Sequence, residues 1–191
     1  MKKSLELTLI ALNAALYAVV GFFTFLGIVI YNVRFWPAVI VPATFAILFG
    51  PYVGGVGAAI GIFISDVLYG HHDALLSLLV GVPSNFLGFY ILGKLANYKS
   101  TYIRMIIASV IGLGVGSLII GIGLWGYSNI FVLPPISPDV PTTGWTIYIG
   151  LVSALWTFVS EIPFLIFVVP PLVKVLENAL PDLLIEGQDN G

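Results

Sequence analysis

The chemistry open to this chain rests on a few polar side chains in a long apolar background. Glu161 stands inside an apolar run, with Trp156 five positions before it and Pro163 two after. A carboxylate at membrane depth is costly and marks a functional site by default. Asn85 lies among Pro83, Ser84, Phe86 and Tyr90, where an unpaired amide costs roughly a few kcal/mol. Local capping around a proline kink is the structural alternative for both. Arg34 precedes Phe35, Trp36 and Pro37, so it reads either as a cation snorkelling beside an aromatic anchor or as a ligand contact. Asp66 sits close to the hydrocarbon edge, where burial demands a partner, and Arg34 is the candidate. His71 and His72 are adjacent, so their side chains diverge. With Asp73 as the acid beside them and no cysteine in the chain, no metal site is expected.

Enzymatic signatures are missing. There is no HExxH, CxxC, GxSxG or P-loop, and the Gly54-Gly55-Val56-Gly57 cluster has no strand before it and no Lys-Ser/Thr after it. No catalytic residue and no cofactor is assigned. A nucleic-acid partner is unsupported, because the cations are dispersed.

The background itself sets the class. Apolar residues make up 59% of the chain and charged residues 8%, and the mean hydropathy is +1.09, so a soluble fold would lack polar surface. The chain reads as an all-α integral membrane protein, a compact bundle of six transmembrane helices in a single domain. The N-terminal apolar run is too long for a signal peptide and is taken as a retained helix. The expected spans are residues 7–30, 35–50, 51–69, 75–92, 105–125 and 145–169, with a proline-rich loop over 130–144 and a tail over 174–191 that frays. Gly50 permits a turn and Pro51 starts the third span, so these two are structural or gating candidates together with Asp66. Gly112, Gly114, Gly116, Gly121 and Gly123 in the fifth span suit close helix packing. Pro134, Pro135, Pro138 and Pro141 make the long loop a stiffened lid. The Pro170-Pro171 pair is expected to stop the last span.

Lys2, Lys3, Lys94, Lys99, Arg104 and Lys174 fall on the side of the termini in this arrangement, with Arg34 on the other. The positive-inside rule then gives a multi-pass protein of the cell membrane with both termini cytoplasmic and the proline loop, Arg34, Asp66, His71, His72, Asp73 and Asp139 outside.

Several stretches together resemble a known family. They are the four-residue spacing of small residues at Ala11, Ala14, Ala15 and Ala18, the Arg34-Phe35-x-Pro37 approach to helix two, ILFGPYVGGVGAAIG over 47–61, and SDVLYG over 65–70. With six short spans over Leu7 to Val173, the chain resembles the substrate-binding S component of an energy-coupling factor (ECF) vitamin transporter. Phe49-Gly50-Pro51 through Asp66 is the most specific part. The resemblance implies a subunit without its own motor. Such a subunit captures a vitamin-like solute outside, docks on a membrane coupling subunit driven by two cytoplasmic ATPase subunits, and topples in the bilayer to release cargo. It also implies that small residues of helix one form the docking face, Ala11 with Ala15 or, in the other register, Ala14 with Ala18. Ala11, Ala15, Gly50, Pro51 and Asp66 carry over by motif; no pocket signature points to riboflavin, thiamine, biotin or folate. A self-contained small secondary transporter or channel is the alternative, although no internal repeat is evident. A membrane enzyme or assembly factor would need more clustered acids or histidines than Glu161 and Asp66 supply.

The residues selected for the solute are Arg34, Trp36, Asn85, Tyr90, Trp125, Trp145, Trp156 and Glu161. Aromatic walls with few polar groups favour a small, flat, partly apolar molecule over an inorganic ion or a phosphate-rich ligand. In this reading Arg34 meets an anionic group and Glu161 meets a donor or a cationic ring.

Overall fold

In lipid every backbone polar group must be satisfied within the protein, and apolar runs of this length do so as helices. The computed structural model describes residues 3–135, 138 and 140–181. The expectations for Lys2, Asp139 and the tail beyond Pro181 fall outside them.

Helix α1 spans Lys3–Thr24. A 3-10 turn at Pro37–Val39 leads into α2, Ile40–Phe49. Helix α3 spans Pro51–Leu68, α4 spans Ala74–Leu95 and α5 spans Tyr102–Ser128. Helix α6, Ile147–Phe167, is followed directly by α7, Val169–Ala179. Five of these stretches are long and apolar enough to cross a membrane, counting α6 with α7 as one, and the short apolar helix Pro37–Phe49 makes the sixth. Chain order and packing run together: α1 lies on α3, α3 on α4, α4 on α5 and α5 on α6, with α2 wedged among α1, α3 and α4. Tyr17, Trp36, Ile47, Phe89, Leu92, Met105 and Leu165 form the main core.

The first span ends six residues short of the expected Ile30. The Thr24 hydroxyl bonds back to the Val20 carbonyl at 2.8 Å, and Gly27 takes a φ of +75°. The chain then forms a small antiparallel hairpin, β1 Val29–Ile30 on β2 Val33–Arg34, with Val29 opposite Arg34. Its turn residues Tyr31 and Asn32 both have positive φ, 48° and 57°, the backbone that a two-residue hairpin loop demands. Three β-branched residues, Ile28-Val29-Ile30, satisfy a hydropathy window as well as a helix would, and periodicity cannot separate the two over so short a run.

Gly50 takes a φ of +99° between α2 and α3, and Pro51 occupies the first turn of α3, where its missing N–H costs no helical bond. The same logic corrects the C-terminal reading. Pro170 and Pro171 do not stop the chain but sit in the first turn of α7 after a break at Val168. Val169 and Val173 are fully buried, and the Lys99 backbone N–H donates to the Glu177 carboxylate at 2.8 Å. The start of the tail, expected to fray, is therefore docked as far as Glu177 and helical to Ala179.

Candidate functional site

Inside the hairpin end of the bundle lies a cavity of about 110 Å³ walled by α1, α3, α4, α5 and α6 and roofed by the β1–β2 hairpin. A single water needs on the order of 10–15 Å³ by the same measure. The space exceeds what a single water fills and admits a small organic molecule.

Helix α4 is shaped for this wall. Asp73 caps its start, accepting from the Leu75 and Leu76 N–H groups at 3.0 Å each. A π-helical turn follows over Ser77–Gly81, a local widening that recurs at functional sites. The Gly81 carbonyl accepts from Ser84 Oγ at 2.8 Å and from Asn85 Nδ2 at 3.0 Å. Asn85 Oδ1 in turn accepts from the Tyr17 hydroxyl at 2.8 Å. Both ends of the Asn85 amide are thus engaged, and α1 is tied to α4 at the cavity wall. Tyr17 also meets Trp36 and Phe89 edge-on, with ring centroids 6.2 and 6.3 Å apart.

The charged groups divide into a paired cluster, in which Arg34 Nη1 alone lacks a hydrogen-bond partner, and a carboxyl without a partner among the described residues. Arg34 pairs with Asp66 Oδ1 and lays its guanidinium over the Trp36 ring, 4.3 Å from the centroid. Its Nη1 turns against Gly70, where a Cβ would come within 3.0 Å, so that glycine makes room for the cation. Asp66 Oδ2 accepts from Ser77 Oγ at 2.7 Å and faces His71 Nε2 at 3.4 Å. The Asp73 N–H donates to His71 Nδ1 at 3.0 Å, which places the ring proton on Nε2, toward Asp66. Burial pushes the Asp73 carboxyl up, but the Leu76 N–H, the Tyr127 hydroxyl and the Leu75 N–H outweigh it and hold it below the usual range. Glu161, buried on α6, also lines the cavity. No hydrogen bond or ion pair with another described residue engages it. Ser117 on α5 lines the same space with a buried hydroxyl that has no partner among the described residues.

Arg34, Trp36, Asn85 and Glu161 are therefore brought together. The remaining aromatic candidates stand elsewhere. Tyr90 stacks on Phe86 at 5.7 Å and meets Tyr52 edge-on at 5.3 Å. Trp125 is part-exposed and packs against Gly150 across the α5–α6 contact. Trp145 is buried and staples the proline loop, donating its Nε1–H to the Pro141 carbonyl at 2.6 Å. Trp156 donates its Nε1–H to the Val33 carbonyl at 3.2 Å and so braces the roof. Ser153 Oγ donates to the Tyr31 carbonyl at 3.0 Å, and Asn32 Nδ2 donates to the Pro134 carbonyl at 3.1 Å. The hairpin is thus held to α6, to the proline loop and, through Arg34, to α3.

Tyr17, Asn32, Ser117 and Thr157 line the cavity without having been singled out by their spacing. Tyr17 and Asn13 are buried polar residues one turn apart on α1, a signal that could have marked the inward face. Asn13 Nδ2 donates to the Val53 carbonyl at 2.8 Å and fixes α1 on α3. Among the described residues no group of three or more His, Asp or Glu side chains is placed to hold a metal ion.

Among the described residues, a bundle of membrane-crossing helices thus encloses a roofed cavity lined by a carboxyl without a hydrogen bond or ion pair. The family model described as ECF transporter, substrate-specific component, matches residues 5–173, and the chain belongs to that family. It is a multi-pass membrane protein and a substrate-specific component of a transporter. No curated protein and no solved structure matches it.

Proposed function

We propose that this protein captures a vitamin-like small molecule from outside the cell in the cavity under the hairpin and delivers it inward while docked on an ATP-driven membrane module. The observation that carries this reading is the combination of a roofed, partly polar cavity with an α1 that has two distinct faces. Tyr17 and Asn13 point into the bundle, while Ala11 and Ala15 are exposed on the other side. Ala14 and Ala18 are buried, at 3% and 7% exposure, which favours the Ala11–Ala15 register for docking. Small side chains let a partner helix approach closely. ATP hydrolysis then belongs to partner subunits, and the basic end of the bundle, with Lys94, Lys99, Arg104 and Lys174, faces the cytoplasm together with both termini.

Transport assays separate the two faces. Ala11→Leu or Ala15→Leu should abolish uptake in cells carrying the whole transporter while solute binding by the isolated subunit is retained. Ala14→Leu and Ala18→Leu should instead destabilise the subunit itself, since added bulk in a packed interface costs about 1–3 kcal/mol. Loss of binding and uptake together in Ala11→Leu would contradict a docking role.

A further inference from the structure

The cavity holds a carboxyl that no described group lining it answers, and this deepens the preceding reading, on which it rests. Arg34, the cation expected to meet an anionic solute, has its charge answered by Asp66 and its face covered by Trp36. The Asp66 oxygens are committed to Arg34 and Ser77, with His71 Nε2 turned toward them. The charges of Arg34 and Asp66 are thus paired with each other, while Arg34 Nη1, against Gly70, has no hydrogen-bond partner among the described residues. Glu161 is left buried, lining the cavity, without an ion pair or hydrogen bond among the described residues, beside walls built from Ile62, Phe89 and Leu113. Ser117, 3% exposed, adds a hydroxyl without a partner.

A buried charge is retained when something pairs with it, and here the described chain supplies no such partner. From this geometry we infer that the solute is itself the counter-group: a compact, largely apolar molecule bearing a protonated amine, an amidine-like group or an amino-substituted nitrogen heterocycle that donates to Glu161, with Ser117 Oγ as a second polar contact. Carboxylated solutes are disfavoured once Glu161 is ionised by its counter-group, because it repels them and the Arg34 charge is already paired with Asp66. The selection is made by one residue on α6.

Three probes of equal size and shape test this: benzamidine, a cation at neutral pH; benzamide, neutral; and benzoate, an anion. Titrated calorimetrically into the dialysed full-length protein in lipid nanodiscs, benzamidine should bind about tenfold or more tighter than benzoate, with benzamide between. Glu161→Gln keeps the size and hydrogen-bonding capacity of the side chain but removes its charge, and should collapse the benzamidine preference to the level of benzamide. Ser117→Phe, which fills the cavity, should remove binding of all three. Benzoate binding best, or a benzamidine preference that survives Glu161→Gln, would overturn the inferred solute class while leaving the cavity as the binding site. Binding that survives Ser117→Phe, or no binding of any probe by the wild type, would overturn the cavity assignment as well.

Discussion

Arg34 and Asp66 are separated by thirty-two positions in sequence and meet at the same end of the bundle because the chain between them crosses and returns. Their side chains are 9% and 5% exposed, so removing one partner strands the other. Breaking such a buried pair typically costs about 3–5 kcal/mol, whereas replacing both groups can be nearly neutral. Arg34→Met and Asp66→Asn should therefore each lower thermal stability in detergent markedly, and the double variant should recover much of the loss. Additive losses in this double-mutant cycle would mean that the pair is not coupled. The need for a partner at Asp66 was legible from its depth in an apolar run. That Asp66 takes the charge of Arg34 while Nη1 stays without a hydrogen-bond partner among the described residues was not, because sequence gives no measure of how many of a cation's contacts are satisfied internally. Glu161 was likewise legible as costly, and its lack of a partner required the fold. The tryptophans misled for a physical reason: Trp145 and Trp156 use their N–H groups to hold loop and hairpin carbonyls, a role that composition cannot distinguish from lining a cavity.

Helix packing divides glycines that look equivalent in sequence. At the α5–α6 crossing, a Cβ on Gly121 would lie 2.3 Å from the Gly150 carbonyl oxygen, and one on Gly150 would lie 2.6 Å from that of Gly121. Gly114, on the same helix, has nothing within 4 Å of its Cβ position. Gly121→Ala should thus cost about 1–3 kcal/mol through forced separation of the helices. Gly114→Ala should be neutral or gain up to about 1 kcal/mol from helix propensity. Thermal unfolding of the two variants in one detergent checks the pair, and equal losses would contradict the crossing. Sequence showed the glycine-rich helix but not its packed side, since glycine carries no hydrophobic signal by which to orient it. The hairpin after α1 escaped for a related reason. A two-residue strand of β-branched residues is indistinguishable from a helix end until Asn32 is seen in left-handed backbone. Helix caps were clearer, because Gly50 and Pro51 leave few alternatives to a turn followed by a helix start.

At the scale of the molecule, the two ends differ in chemistry. One carries the hairpin, the Arg34–Asp66 cluster and the proline loop; the other carries Lys99, Arg104, Lys174 and Glu177, the last bonded to Lys174 at 2.7 Å. If the basic end is cytoplasmic, single cysteines placed in this cysteine-free chain should react with an impermeant thiol reagent on intact cells at Thr143→Cys and not at Asn97→Cys. The reverse pattern would invert the protein and with it the direction of capture. The bundle as a whole was the most legible level, because mean hydropathy and charge distribution act over the full chain and are insensitive to local misreadings.

In the proposed function the cavity beneath the hairpin holds the transported solute. Native mass spectrometry of the protein purified from its own membranes, without added vitamins, tests it most directly when wild type is compared with Ser117→Phe. A one-to-one adduct of a small organic molecule is expected on the wild type, and its loss from a folded Ser117→Phe protein. An adduct retained by Ser117→Phe, or a bound metal ion in place of an organic molecule, would contradict it.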